Sequence, residues 1–192
     1  MKEIYRQLQK DIVKIATTYE VDVLKNLDNL TEENIEFNQE KTLDIIYKCL
    51  EEIYKLILDF IEKNYPKAKI NNRIDLSILI WSEDGLTLEE RIINHYKDWY
   101  KVIKENTSLI PIVKRNLSYA LVKIIDTESF QVSNGLLKEK LKDTAKYFEN
   151  LNGDACGLCL EKAEYGIRPI KYLDDEPPYH PECRCMIVYY EE

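Results

Sequence analysis

The chain has 192 residues, a formal net charge of −8 and a pI near 5.0. This length is enough for one domain with a sizeable core. The acidic balance disfavours a protein that binds duplex DNA by bulk neutralisation of phosphates. No apolar run approaches the roughly 20 residues that cross a bilayer, so we expect no membrane partner. Glycine is scarce, which favours helices.

Apolar residues recur every three or four positions through most of the first 146 residues, as in amphipathic helices. This period predicts a first helix over about 2–28. Thr31 is the predicted N-cap of a second helix over about 32–64, which ends before Pro66. Residues 74–81 form a short apolar run whose period fits a helix or a strand.

Two further helices are predicted before residue 147. Thr87 and Glu90 have the spacing of a capping box, so a helix should begin at Leu88 and reach about residue 104. Thr107 or Ser108 should cap the next helix. That helix is predicted to continue to about residue 146, with a possible break near Asn134-Gly135.

After residue 146 the helical period gives way to short runs of β-branched and aromatic residues. Strands are predicted at 147–151, around 165–172 and at 186–190. We therefore expect a mainly α protein with an elongated helical body over residues 1–146. A small C-terminal β-module, cross-linked by cysteine and histidine side chains, should follow over residues 147–192.

Four of the five cysteines and one of the two histidines lie between residues 154 and 185. Cys156 and Cys159 form a C-x2-C pair, and His180, Cys183 and Cys185 form H-x2-C-x-C. Two such pairs supply the tetrahedral donor set of Zn²⁺, so we predict one zinc ion per chain. The spacing leaves open whether His180 or Cys185 joins Cys183 as a ligand. All five residues are candidates, and one of them would support a ligand through a hydrogen bond.

Two alternatives to zinc stay open at this point. A pair of disulfides needs an oxidising environment, and the N-terminal sequence lacks the apolar stretch of a signal peptide, so they would form late in an assembled particle. Free thiols of the redox type are disfavoured because no βαβ unit precedes Cys156. Cys49 lies on the apolar stripe of the second helix and is predicted to be a core residue. Glu128, a single acid late in a helical run, is predicted to be solvated.

Four blocks of residues, in this order, resemble the phage head morphogenesis or minor head protein family, the Mu F-like group. They are Trp81, Asp84, Gly85, Thr87, Leu88, Arg91 and Ile92; Thr127 and Glu128; Asp154, Cys156 and Cys159; and Pro177, Pro178, His180, Pro181, Cys183, Arg184 and Cys185. The resemblance covers roughly residues 74–190, and its last block is the most specific part.

The resemblance implies a structural role in a virion. Proteins of this group are few-copy components inside the capsid, made in the host bacterial cytoplasm, that join the procapsid with the portal protein and other head components. The expected role is head morphogenesis, with DNA packaging or ejection as a further part of it and a transient contact with packaged DNA.

The residues themselves favour a protein that is not an enzyme. No nucleophile–base pair or carboxylate dyad stands out, while long amphipathic helices offer surfaces for a partner or for self-association. A small zinc-binding adaptor or regulator of cellular origin is the main alternative. A metal-dependent nuclease is disfavoured because it needs further histidines or carboxylates around a second metal, and His180 is the one histidine near the cysteines.

Overall fold

A computed structural model of the chain describes residues 1–69, 85–152, 157–173, 177, 179–180 and 183–191. The apolar run at 74–81 lies outside these ranges. The elements are α1 (Lys2–Asp28), α2 (Ile35–Asn64), α3 (Leu88–Glu105), α4 (Ile110–Leu141), β1 (Tyr147–Leu151), α5 (Gly157–Glu164), β2 (Arg168–Pro169) and β3 (Met186–Tyr190). The predicted class, mainly α with a small C-terminal β-module, is confirmed. No helix in the described ranges is both long and apolar enough to cross a membrane.

The start of α3 was predicted correctly from local capping residues, whereas the start of α2 was not. Thr87 and Glu90 form the predicted capping box, with each side chain accepting a hydrogen bond from the backbone of the other residue. The prediction of Thr31 as the N-cap of α2 was wrong. The side chain of Asn34 accepts from the Thr31 amide at 2.8 Å and donates to the Asn29 carbonyl at 2.7 Å. This closes a turn between α1 and α2, so α2 begins only at Ile35.

Helix α4 is the centre of the molecule and packs against α1, α2, α3 and β3. Because neighbours surround its middle, polar side chains are buried there together with apolar ones. They are Asp126, Thr127, Glu128, Ser129, Ser133 and Asn134. The predicted break near Asn134-Gly135 is wrong, because α4 continues through it and ends at Leu141.

The C-terminal strands form one antiparallel sheet in the order β2-β1-β3, with Tyr147 opposite Tyr190 and Leu151 opposite Met186. The strand predicted around 165–172 is shorter than expected. It comprises only Arg168–Pro169 before a 3₁₀ turn over Ile170–Tyr172. Helix α5 was not predicted at all.

Side chains of the helical body bind the outer edge of β3. The Asn134 side chain accepts a hydrogen bond from the Ile187 amide at 3.0 Å and donates to the Cys185 carbonyl at 2.9 Å. Tyr5 accepts from the Tyr189 amide, and Tyr65 donates to the Tyr189 carbonyl. These side chains satisfy backbone groups that an unpaired edge strand would leave open.

The hydrophobic core is continuous across residue 147. The same cluster of buried side chains includes residues of α1 to α4 and the buried apolar residues of β1 and β3. The two parts therefore share one core, and the part after residue 146 contains the helix α5 as well as the three strands. The division of the chain into two domains at residue 147 stays a prediction.

Candidate metal centre

Three side chains of the C-terminal module direct donor atoms to one point. The Sγ atoms of Cys159 and Cys183 and a ring nitrogen of His180 all lie within 4.8 Å of one another. The two sulfurs are 3.7 Å apart, and the Cys159 sulfur is 3.2 Å from His180 Nε2. Zinc bonds of about 2.3 Å to sulfur in a tetrahedron place two sulfurs about 3.8 Å apart. This group can therefore hold a metal ion.

Two different local structures position these donors. Cys159 lies in the first turn of α5. His180 and Cys183 lie at the ends of a turn in which the Cys183 amide donates to the His180 carbonyl at 3.1 Å. Of the two pairings that the sequence left open, the one between His180 and Cys183 is thus the one that converges on Cys159.

The remaining two candidates differ from these three. Cys156 lies outside the described residues. Cys185 is buried, and its sulfur is 3.8 Å from the side-chain oxygen of Asn152. A hydrogen bond from the Cys185 thiol lowers the pKa of Cys183 to about 5, although burial opposes this shift. This lowering of the pKa favours the thiolate of Cys183, the form that binds metals.

No disulfide is formed by the four cysteines within the described ranges. The 3.7 Å between the sulfurs of Cys159 and Cys183 is far from the roughly 2.0 Å of a disulfide. Cys49 lies on α2 and is fully buried in the hydrophobic core, and this burial raises the pKa of its thiol to about 12. The prediction of Cys49 as a core residue is confirmed.

Two ion pairs connect α4 to the elements around it. Glu128 pairs with Arg91 of α3 at 2.5 Å, and Asp126 pairs with Arg184 at 3.0 Å. The prediction that Glu128 is solvated was wrong, since its side chain is 1 % exposed. Burial raises the pKa of Glu128, and the positive charge of Arg91 opposes that shift. Asp126 was missed by the sequence analysis, although two acids in the middle of an apolar helix are a signal of buried pairing.

Fold and site together define a class of protein: a helical protein whose small β-module carries a cysteine and histidine group able to hold a metal. A comparison with protein-family models, with curated proteins and with solved structures finds no match to this chain. Any narrower function therefore depends on the residues and their geometry.

Proposed function

We propose that this chain is a structural, non-enzymatic minor head protein of a phage, and that one zinc ion holds its C-terminal module together. One observation carries the proposal: the sequence blocks that resemble the minor head protein family are in contact with each other. Arg91 of the first block pairs with Glu128 of the second. Arg184 of the last block pairs with Asp126, beside that second block. Cys159 of the third block meets His180 and Cys183 of the last.

These contacts support the proposal because they join positions that are far apart in the sequence. A chance resemblance would leave the blocks scattered over the fold. Here the described residues of the blocks form a series of contacts, from α3 to α4, from α4 to Arg184, and from His180 and Cys183 to Cys159 of α5. Such a series is expected if the blocks form a single structural unit. Their chemistry also suits a structural role, since the ion pairs connect helices to each other and to the module.

Zinc is the metal that we propose for the site. Two thiolates and an imidazole are soft or borderline donors that suit Zn²⁺, and structural zinc sites have four protein ligands. Cys156 and Cys185 remain the candidates for the fourth. The ion would connect α5, which follows β1, to the loop that precedes β3. A structural zinc ion in a small module contributes on the order of 10 kcal/mol at neutral pH.

The metal content of the purified, reduced full chain tests the zinc part of the proposal. We expect about one zinc ion per chain by elemental mass spectrometry. Cys159→Ser and His180→Ala should lose the metal, while Cys49→Ala, a cysteine change in the helical body, should keep it. If the chain purified without reductant is metal-free and its cysteines are protected from alkylation until a reductant is added, the result would support disulfides and contradict the zinc site.

The virion part of the proposal is tested in particles. Mass spectrometry on purified phage particles and on empty proheads from an induced host should find this chain at a few copies in both. Its loss from particles after ejection would support a role in ejection with the DNA. Absence from every particle would contradict the proposal and favour the adaptor, as would a gene without portal, terminase and scaffold genes beside it.

A further inference from the structure

The loop that carries His180 and Cys183 is attached to the helical body through its next residues. Arg184 directs its guanidinium at the carboxylate of Asp126 on α4, with Nε 3.1 and 3.0 Å from the two oxygens. Gln9 of α1 donates its side-chain amide to the Arg184 carbonyl at 2.5 Å. Asn134 of α4 donates to the carbonyl of Cys185. Three side chains from two helices therefore contact the two residues that follow the ligand Cys183.

The ion pair between Asp126 and Arg184 fixes where the loop lies on α4. The Asp126 side chain is 8 % exposed, and the Arg184 side chain is 34 % exposed. A carboxylate buried to this extent is unfavourable without a partner. The loop is therefore held where its arginine reaches α4, and this position also places Cys183 opposite Cys159.

The other converging ligand is attached differently. Cys159 belongs to α5, which follows β1 and packs against it. A metal bound by both parts would thus join α5 to a loop that α1 and α4 already hold in place. Holding one half of a site before the ion arrives removes part of the ordering that binding would otherwise require.

We propose that Asp126, Gln9 and Asn134 are positioning residues for the metal site, so that metal affinity depends on contacts inside the helical body. The coupling is reciprocal: the bound ion strengthens the attachment of the loop and β3 to α4 by the same free energy. This inference rests on the proposed zinc site and extends it from the small module to the central helix.

The test compares two buried carboxylates of α4. Asp126→Asn keeps the size of the side chain and removes the charge that faces Arg184. Glu128→Gln is the matched control, because it changes a buried carboxylate two residues away whose partner is Arg91 of α3. The zinc dissociation constant of each full-length variant is measured by competition with a chromophoric chelator, and circular dichroism checks that each is folded.

We expect Asp126→Asn to weaken zinc binding about 10- to 100-fold, as for other groups that support metal ligands. Glu128→Gln should change the dissociation constant less than about threefold, although it destabilises the fold, since a folded protein keeps its intact site. Zinc should also slow amide exchange of β3 in the native chain and slow it less in Asp126→Asn. If Asp126→Asn does not fold, Gln9→Ala should still weaken binding about three- to tenfold.

The outcomes separate this inference from the zinc proposal. If the native chain binds zinc and neither Asp126→Asn nor Gln9→Ala weakens it, the positioning role is wrong and the zinc site stands. Equal weakening by Asp126→Asn and Glu128→Gln would also overturn the positioning role, since it would indicate a general effect of α4. If the native chain binds no zinc, the site itself is wrong and the inference fails with it.

Discussion

The buried ion pair between Arg91 and Glu128 gives the strongest test of how the helices are held together. Replacing Arg91 by Met keeps most of the side-chain volume and leaves the Glu128 carboxylate buried without its cation. Breaking one partner of a buried pair typically destabilises a protein by about 3–5 kcal/mol. Arg91 is 15 % exposed and Glu128 1 % exposed, so some water reaches the arginine. We therefore expect a loss of about 3 kcal/mol at neutral pH.

The assay is urea unfolding of the reduced, zinc-loaded chain, followed by circular dichroism, in a double-mutant cycle. Replacing both partners by Met and Leu should cost less than Arg91→Met alone, because no unpaired charge is then buried. Lys48→Met is the control for an exposed pair: its partner Asp44 is 59 % exposed, and the change should cost about 0–1 kcal/mol. A loss below about 1 kcal/mol for Arg91→Met would refute the reasoning that the pair is buried and coupled.

Other predictions concern pH and the attachment of the β-module. Burial raises the folded-state pKa of Glu128, and Arg91→Met should raise it further. A carboxyl with a raised folded-state pKa stabilises the fold at low pH, and this stabilisation is lost as pH rises through that pKa. The free energy of unfolding that Arg91→Met loses relative to the native chain should therefore be smaller at pH 5 than at pH 8. Asn134→Ala should cost about 2–5 kcal/mol in urea unfolding and speed amide exchange at Ile187, because two buried backbone groups of the β3 edge lose their partner; unchanged exchange would contradict this. Tyr65→Phe should cost about 1–3 kcal/mol by the same measurement. Removal of zinc by a chelator should speed amide exchange much more in α5 than in β1 and β3, whose side chains belong to the shared core. An equal increase of the exchange rate in all three elements would argue against that core.

The helices α1 to α3 could be predicted because their signals are local. Each has one apolar face against the core and one face in water, so the period of the sequence reports the helix directly. The capping box of Thr87 and Glu90 is also complete within four residues. The start of α2 was predicted less well, because Thr31 and Asn34 are both good capping residues and only the turn to Asn29 decides between them.

The candidate site was predictable in its chemistry and less so in its arrangement. The density and spacing of Cys159, His180 and Cys183 indicate a metal without any knowledge of the fold, since the donors come from short local segments. The helix that carries Cys159 was missed because an eight-residue segment has too little period to identify it. Sequence spacing also gave no preference between His180 and Cys185 as the partner of Cys183.

By itself, the sequence determined that this chain is mainly helical and that it ends in a module with clustered thiol and imidazole donors. Only the tertiary structure decided the roles of Asp126, Glu128 and Asn134. A helix with one solvent-exposed face keeps its polar residues on that face, but α4 is enclosed by α1, α2, α3 and β3. A polar side chain there must find a partner inside the protein. Those partners come from elements tens of residues away, so the spacing of residues along α4 cannot encode them.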